Sequence, residues 1–328
     1  MNDIYQLYKE LSLKEKLNLD TYLVEKIPNH NRHRLGVSET GLPLFFIQTE
    51  LTNELTIDIN LKLIQVSYVK NCQLISTSGE KINGVYTIVS LKSDSEDIIR
   101  YFITTMHYLI MQLGDKTSFS TIKSELANLI NLFRSLSNPS KNTIQGLWTE
   151  LLFISQSNNP EYLIQAWHLN KKDRFDFNDG QSKVEIKSTS RTERIHTFSL
   201  SQLTEIEQND IYIGSTFTIE TGSGKCANDL IELIKERVIN PESLLKVHNI
   251  VGETMGDKIE RIYDVFFDYN LALNSILYFN TSDIPTIQSD QIPPEVSNVK
   301  FDCNLSNIRS VEGLEITSPL LKAFWNNV

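Results

Sequence analysis

The sequence predicts an α/β protein whose mixed sheet is flanked by helices, preceded by a β-rich amino-terminal domain carrying helices of its own. Three observations predict it. From Thr143 a helical apolar pattern is followed by three strand-like segments, a helix and a strand, the order α-β-β-β-α-β. From about Leu35 to Leu91, short runs rich in β-branched and aromatic residues are separated by Gly, Asn and Ser. Between the two regions lies Ser137-Asn-Pro-Ser-Lys-Asn142, a breaker cluster that marks a domain boundary. The expected division is therefore 1–138, 139–240 for the core, and a carboxy-terminal α+β segment, 241–328, packed on that core.

Taken in order, Ile4, Leu7, Tyr8 and Leu11 recur at spacings of three and four and predict a short amphipathic helix over 4–16. Leu44–Ile47, Leu55–Leu61, Gln73–Ser76 and Val85–Val89 read as strands, and alternation at Ile57, Ile59 and Leu61 leaves one sheet face wet. Helices follow over 95–113 and 119–136, the first opened by Ser93-Asp-Ser-Glu96 as a capping box. In the core, Thr143–Gln156 is a helix with Leu147, Leu151 and Ile154 on one face. Glu161–Leu169, Arg174–Phe177 and Lys183–Thr189 are strands, the last two joined by Asn178-Asp-Gly-Gln-Ser182, an Asp-Gly hairpin signature. A helix over Ser199–Gln208, a strand over Ile211–Ile219 and an amphipathic helix over Asn228–Val238 complete it. Beyond, the pattern gives a helix near 241–248 and strands at Arg261–Asp268 and Ser275–Phe279, then a Pro-broken tail.

Composition excludes several classes. Of 328 residues, 40% are hydrophobic and 22% charged, which excludes collagen-like and largely disordered chains. The 31 Lys and Arg against 41 Asp and Glu give a net charge of -10, so nucleic-acid binding has to rest on a local site rather than on bulk charge. Cys72, Cys226 and Cys303 are far apart and form no CxxC pair, against a zinc knuckle or disulfide framework and in favour of a reducing compartment. No apolar run reaches the roughly 20 residues of a membrane span, and the amino terminus lacks a signal-peptide core, so the expected location is the cytoplasm.

The chemistry gathers in the core. Alternation in a strand puts Glu185 and Lys187 on one face and Val184 and Ile186 on the other. Asp176, nine residues before Glu185 across a tight turn, reaches the same region. Two carboxylates and an ammonium converging there suit Mg²⁺ or Mn²⁺, which prefer oxygen ligands, with Lys187 orienting a water or balancing developing negative charge. Glu150, at the edge of the apolar face of the preceding helix, can lean in and complete the metal shell. Alternating Glu and Lys on a strand also marks an ordinary solvated face, so the argument needs the surrounding α-β-β-β-α-β order.

With that order, the residues resemble the PD-(D/E)XK nuclease superfamily and its restriction-endonuclease-like fold. Asp176 matches the motif's Asp, Glu185-Ile186-Lys187 its (Asp/Glu)-X-Lys element, and Glu150 the acidic residue often present on the first helix. Phe175 stands where the motif has Pro. Gly146-Leu-Trp-Thr-Glu150, Arg174-Phe-Asp176, Val184-Glu-Ile-Lys-Ser188 and His196-Thr-Phe-Ser-Leu-Ser-Gln-Leu203 are similar to an uncharacterised bacterial family of that superfamily linked to restriction and phage defence. The resemblance implies a metal-dependent DNA phosphodiesterase of restriction or defence type. Asp176, Glu185, the Ile186 carbonyl and Glu150 would hold Mg²⁺ (or Mn²⁺), Asp176, Glu185, Lys187 and Glu150 would be catalytic, and DNA and other defence proteins would be partners. A homodimer would let two sites cut two strands.

Other readings stay open. A non-catalytic module of the same fold could bind DNA or a partner protein, or the amino-terminal sheet could recognise the target for the core. Gln202 lies near the site or merely caps its helix from Ser199. Arg191, Arg194 and His196, with Lys171, Lys172, Arg174 and Lys183, make the block locally basic and could touch phosphates, or could simply be solvated. His196 is also a candidate general base. His30, Arg32, His33 and Arg34 lack ligand spacing and read as a polar loop; Trp148 and Trp167 read as core.

Overall fold

The computed structural model describes residues 4–14, 21–52, 56–115, 117–138, 143–168, 174–204, 210–287, 292–293, 295–311 and 318–324. The chain divides into two compact units, Met1–Lys141 with Asn240–Glu260, and Asn142–Ile239 with Arg261–Val328. Residues 240–260 thus group with the amino-terminal part and not, as the sequence suggested, with the carboxy-terminal segment.

The first unit begins with α1 (Ile4–Ser12), β1 (Tyr22–Lys26), β2 (Arg34–Val37), β3 (Pro43–Gln48), β4 (Ile59–Asn60), β5 (Ile64–Ser76) and β6 (Lys81–Leu91). The strand order is β1-β2-β3-β6-β5-β4, and a parallel pairing of β1 with β5 closes five of the strands into a ring. The expected strand over 55–61 shrinks to Ile59–Asn60, and Ile57 is 73% exposed; Leu55 lies outside the described residues. Helices α2 (Glu96–Leu113) and α3 (Phe119–Ser135) follow. The capping box at Ser93 does not form: Ser95 is the N-cap and makes no side-chain cap bond. Glu96 is drawn away instead, accepting from Lys9 Nζ and Tyr5 Oη at 2.9 Å each. Phe45, Phe102 and Phe133 pack edge to face at the centre of this unit.

The second unit carries α4 (Ile144–Gln156), α5 (Pro160–Ala166), β7 (Phe177–Asn178), β8 (Ser182–Thr189), β9 (Ile195–Ser199), α6 (Leu200–Thr204), β10 (Asp210–Phe217), β11 (Glu220–Thr221) and α7 (Ala227–Lys235). After α8 (Pro241–Met255), which belongs to the first unit, come α9 (Arg261–Asp264), β12 (Phe266–Phe267), α10 (Tyr269–Asn274), β13 (Leu277–Asn280), β14 (Lys300–Asn304) and α11 (Pro319–Phe324).

Two expected strands are helices. Residues 160–166 form α5, because Asn159 accepts from Tyr162 N and Pro160, with no N–H to lose, occupies the first turn. Residues 261–264 form α9, leaving only Phe266–Phe267 extended. Of the expected strand 174–177 only its end, β7, pairs. The hairpin turn holds: Gly180 takes φ 87°, and Asp179 Oδ1 accepts from Gln181 N and Ser182 N.

The main sheet of this unit is β13-β10-β8-β7, with β8 and β10 parallel and the outer pairs antiparallel. Both faces of β8 are covered. Ile186 meets Phe153 of α4 over Gly214, where a Cβ would lie 2.7 Å from Ile186 Cδ1 and 2.8 Å from Phe153 Cε1; glycine lets the helix lie close. On the other face Phe198, Leu203, Ile213, Phe279, Ile284 and Leu305 form a cluster beneath the β9–β14 ribbon. Glu185 and Lys187 lie on that second face, displayed by strand alternation. Among the described residues no helix is long and apolar enough to cross a membrane.

Candidate metal centre

Segments on or beside α4, α5, β7, β8 and α6 bring seven side chains together: Glu150, Trp167, His168, Asp176, Glu185, Lys187 and Gln202. Glu150 projects from the middle of α4 and is 7% exposed. Its Oε2 accepts from the Trp167 indole N–H at 2.6 Å and lies 3.1 Å from His168 Nε2. Trp167 and His168 follow α5, and an antiparallel bridge between Trp167 and Phe177 sets His168 opposite Asp176, with His168 N donating to the Asp176 carbonyl at 2.8 Å. Asp176 Oδ2 in turn accepts from Ile186 N at 2.7 Å, which ties its carboxylate to β8. Ligand-capable atoms of Glu150, His168 and Asp176 all lie within 4.8 Å of one another.

On β8, Glu185 Oε1 accepts from Lys187 Nζ and from Gln202 Nε2, each at 2.8 Å. Gln202 Oε1 accepts from Ser199 N at 2.9 Å. The two open readings of Gln202 are therefore one arrangement, because the helix-capping bond fixes the amide oxygen and turns its NH₂ toward Glu185. Phe198 lies under Lys187 Nζ at 5.6 Å. Glu185 Oε2 is buried and has no protein partner.

The electrostatics follow from this crowding. Burial, and then the charges of Glu185 and Glu150, push the Asp176 carboxyl well above the usual carboxylate range, against lesser lowering by Ile186 N–H and Lys187. Burial also raises Glu185, only partly opposed by Lys187. Three acidic groups crowd round one ammonium, and one buried oxygen is unsatisfied. Such a donor set fits a divalent cation, which would neutralise the excess charge and partner the orphan oxygen. Of the cation ligands expected from sequence, Asp176 and Glu150 belong to the close group with His168, Glu185 acts on Asp176 electrostatically without belonging to it, and Ile186 contributes its N–H to Asp176.

The expected phosphate-contacting residues separate. Arg191 is exposed and pairs with Asp302 at 3.4 Å. His196 is 4% exposed, its Nε2 is 2.8 Å from Ser215 Oγ, and burial lowers it to about 4. It is an interior imidazole that burial keeps neutral, not an exposed phosphate contact. Arg194 is buried too, donating to Ser215 and Ser275. Lys171 and Lys172 lie outside the described residues. In the first unit, His30, His33 and Asp115 also cluster within 4.8 Å. Both His33 nitrogens are engaged, Nδ1 by Gln48 N at 3.2 Å and Nε2 by the Gly114 carbonyl at 2.9 Å, while Asp115 caps Asn31 N and Arg32 N. That cluster ties the turn at residues 28–32 to residues 114–115.

Sequence reasoning missed His168 and the second role of Trp167. Both sat inside a stretch read as a strand, and no spacing links a lone histidine to a glutamate eighteen residues earlier on a different helix.

No curated protein and no solved structure matches the chain. One family model does, described as "Putative PD-(D/E)XK family member, (DUF4420)", over residues 4–306. That match spans both the amino-terminal unit and the carboxylate cluster, and the chain belongs to this PD-(D/E)XK family.

Proposed function

We propose that the protein is a metal-dependent DNA phosphodiesterase, an endonuclease of restriction or defence type, with α4, β7, β8, β9, α6 and β10 as its αβββαβ core and α5 an addition to it. The observation that carries the reading is the unsatisfied, buried Glu185 Oε2 beside two further carboxylates and Lys187. A purely structural strand face has no reason to bury that much uncompensated acid.

Asp176, Glu185 and Glu150, with the Ile186 carbonyl, would hold Mg²⁺ or Mn²⁺. When bound, such a cation supplies a water of lowered pKa and Lewis-acid neutralisation of phosphoryl charge. The protein's own work is positional. Ile186 N–H and the Trp167 indole fix two carboxylates, and Gln202 and Lys187 fix the third through one oxygen, leaving the other free. Lys187, lying over Phe198, would hold the attacking water and balance negative charge on the phosphoryl oxygens.

The test is cleavage of supercoiled, linear, methylated and single-stranded DNA by the purified chain with Mg²⁺ or Mn²⁺. Cation-dependent cleavage by the wild type and none by Asp176→Ala is the expected result. Equal cleavage by the variant overturns the assignment. Cation binding with every DNA left intact favours the non-catalytic module instead.

A further inference from the structure

The cation expected at this site from its oxygen donors is an oxygen-seeking one, yet the tightest grouping of ligand atoms contains a nitrogen. His168 Nε2 stands 3.1 Å from Glu150 Oε2, and a ring nitrogen of His168 and oxygens of Glu150 and Asp176 all lie within 4.8 Å of one another. Its place is fixed from both sides: His168 N donates to the Asp176 carbonyl, and its backbone takes φ 42°, a left-handed conformation that a non-glycine residue seldom adopts. Glu150 Oε2 is held independently by the Trp167 indole, so it keeps its aim if the imidazole turns to another partner. The side chain of His168 is 29% exposed, which leaves an approach from solvent. Mg²⁺ demands oxygen ligands in a near-ideal octahedron; Mn²⁺ shares its preference for carboxylates but is the transition ion of the two, and imidazole is a ligand of transition ions.

Resting on the metal-dependent reading above, we propose that His168 is a direct ligand of the cation, and that through it the Glu150–His168–Asp176 site selects Mn²⁺ over Mg²⁺. His168 Nε2 would give up its contact with Glu150 Oε2 to hold the cation. Any proton on Nε2 leaves to solvent or is replaced by the Nδ1–H tautomer, so that a lone pair faces the ion.

The test titrates Mn²⁺ and Mg²⁺ separately into the intact chain by calorimetry and records electron spin echo on the Mn²⁺-loaded protein, for wild type, His168→Gln and His168→Ala. Expected are nitrogen modulation from imidazole in the wild type, its loss in both variants, and a fall in Mn²⁺ affinity of about tenfold or more with Mg²⁺ affinity little changed. The spin-echo reading on the unaltered chain decides even if a variant melts early. Bound Mn²⁺ without nitrogen modulation, or an unchanged Mn²⁺ preference in the variants, overturns the ligand role of His168. If Mn²⁺ binding is then still lost in Asp176→Ala, the metal-dependent reading stands. A wild-type chain that takes up neither ion removes both.

Discussion

Neutralising Asp176 should stabilise the metal-free protein while destroying its use for the cation. In Asp176→Asn the side-chain oxygen can still accept from Ile186 N–H, so the bond observed at 2.7 Å survives. What disappears is a buried negative charge facing those of Glu150 and Glu185. Carboxylate oxygens of Asp176 and Glu150 lie within 4.8 Å. At an effective dielectric of about 20, two unit charges at that distance repel by about 3 kcal/mol. The wild type escapes this cost at low pH by keeping the Asp176 carboxyl protonated. With its folded pKa raised, the group's contribution is fully present below the ordinary value of about 3.9 and is lost as pH rises through the raised value. The assay is thermal melting in chelator at about pH 4, near the ordinary carboxylate value, and at about pH 9. The variant should gain over wild type at the higher pH, by about 2–4 °C per kcal/mol for a unit of this size, and much less at the lower. Added Mn²⁺ should raise the melting temperature of the wild type only. A variant that melts lower than wild type at the higher pH, or a difference independent of pH, refutes the reasoning.

Three further outcomes follow from the same geometry. His196 is held near 4 in the folded state against about 6.5 unfolded, so its contribution is present above about 6.5 and is lost as pH falls toward 4, by about 3 kcal/mol; denaturant melts of His196→Gln should show a shallower acid decline than wild type, and an unaltered decline counts against the assignment. Trp167→Phe removes the indole donor to Glu150 and should weaken cation binding about tenfold or more by calorimetry; wild-type affinity would show that Glu150 needs no such guide. Gly214→Ala places a Cβ against Ile186 and Phe153 and should cost about 1–3 kcal/mol in denaturant unfolding; a neutral substitution would mean that α4 can lift without loss.

The sequence made the second unit legible where chemistry and local geometry agree. Asp-Gly between two apolar runs forced a hairpin, and alternation in β8 then placed Glu185 beside Lys187 with Ile186 turned the other way. Residues 160–166 misled because apolar residues over a short window fit strand and helix alike; the decisive signal was local, Asn159 capping a helix whose first residue is Pro160. The same error hid His168, which is set opposite Asp176 by a Trp167–Phe177 bridge that only folding creates. Basic residues after Lys187 looked alike in the sequence, but Arg194 and His196 are interior because β9 pairs with β14, a contact across more than a hundred residues. The capping box at Ser93 failed for a similar reason, since Glu96 finds Lys9 on a distant helix.

If Lys187 acts on the attacking water as well as steadying Glu185, its loss should slow cleavage far more than it weakens cation binding. Lys187→Met separates the two when Mn²⁺ binding is measured by calorimetry and single-turnover DNA cleavage is followed on the same preparation. The account predicts that the cation stays bound while the cleavage rate falls by about a hundredfold or more. Cleavage at the wild-type rate with the cation in place contradicts it.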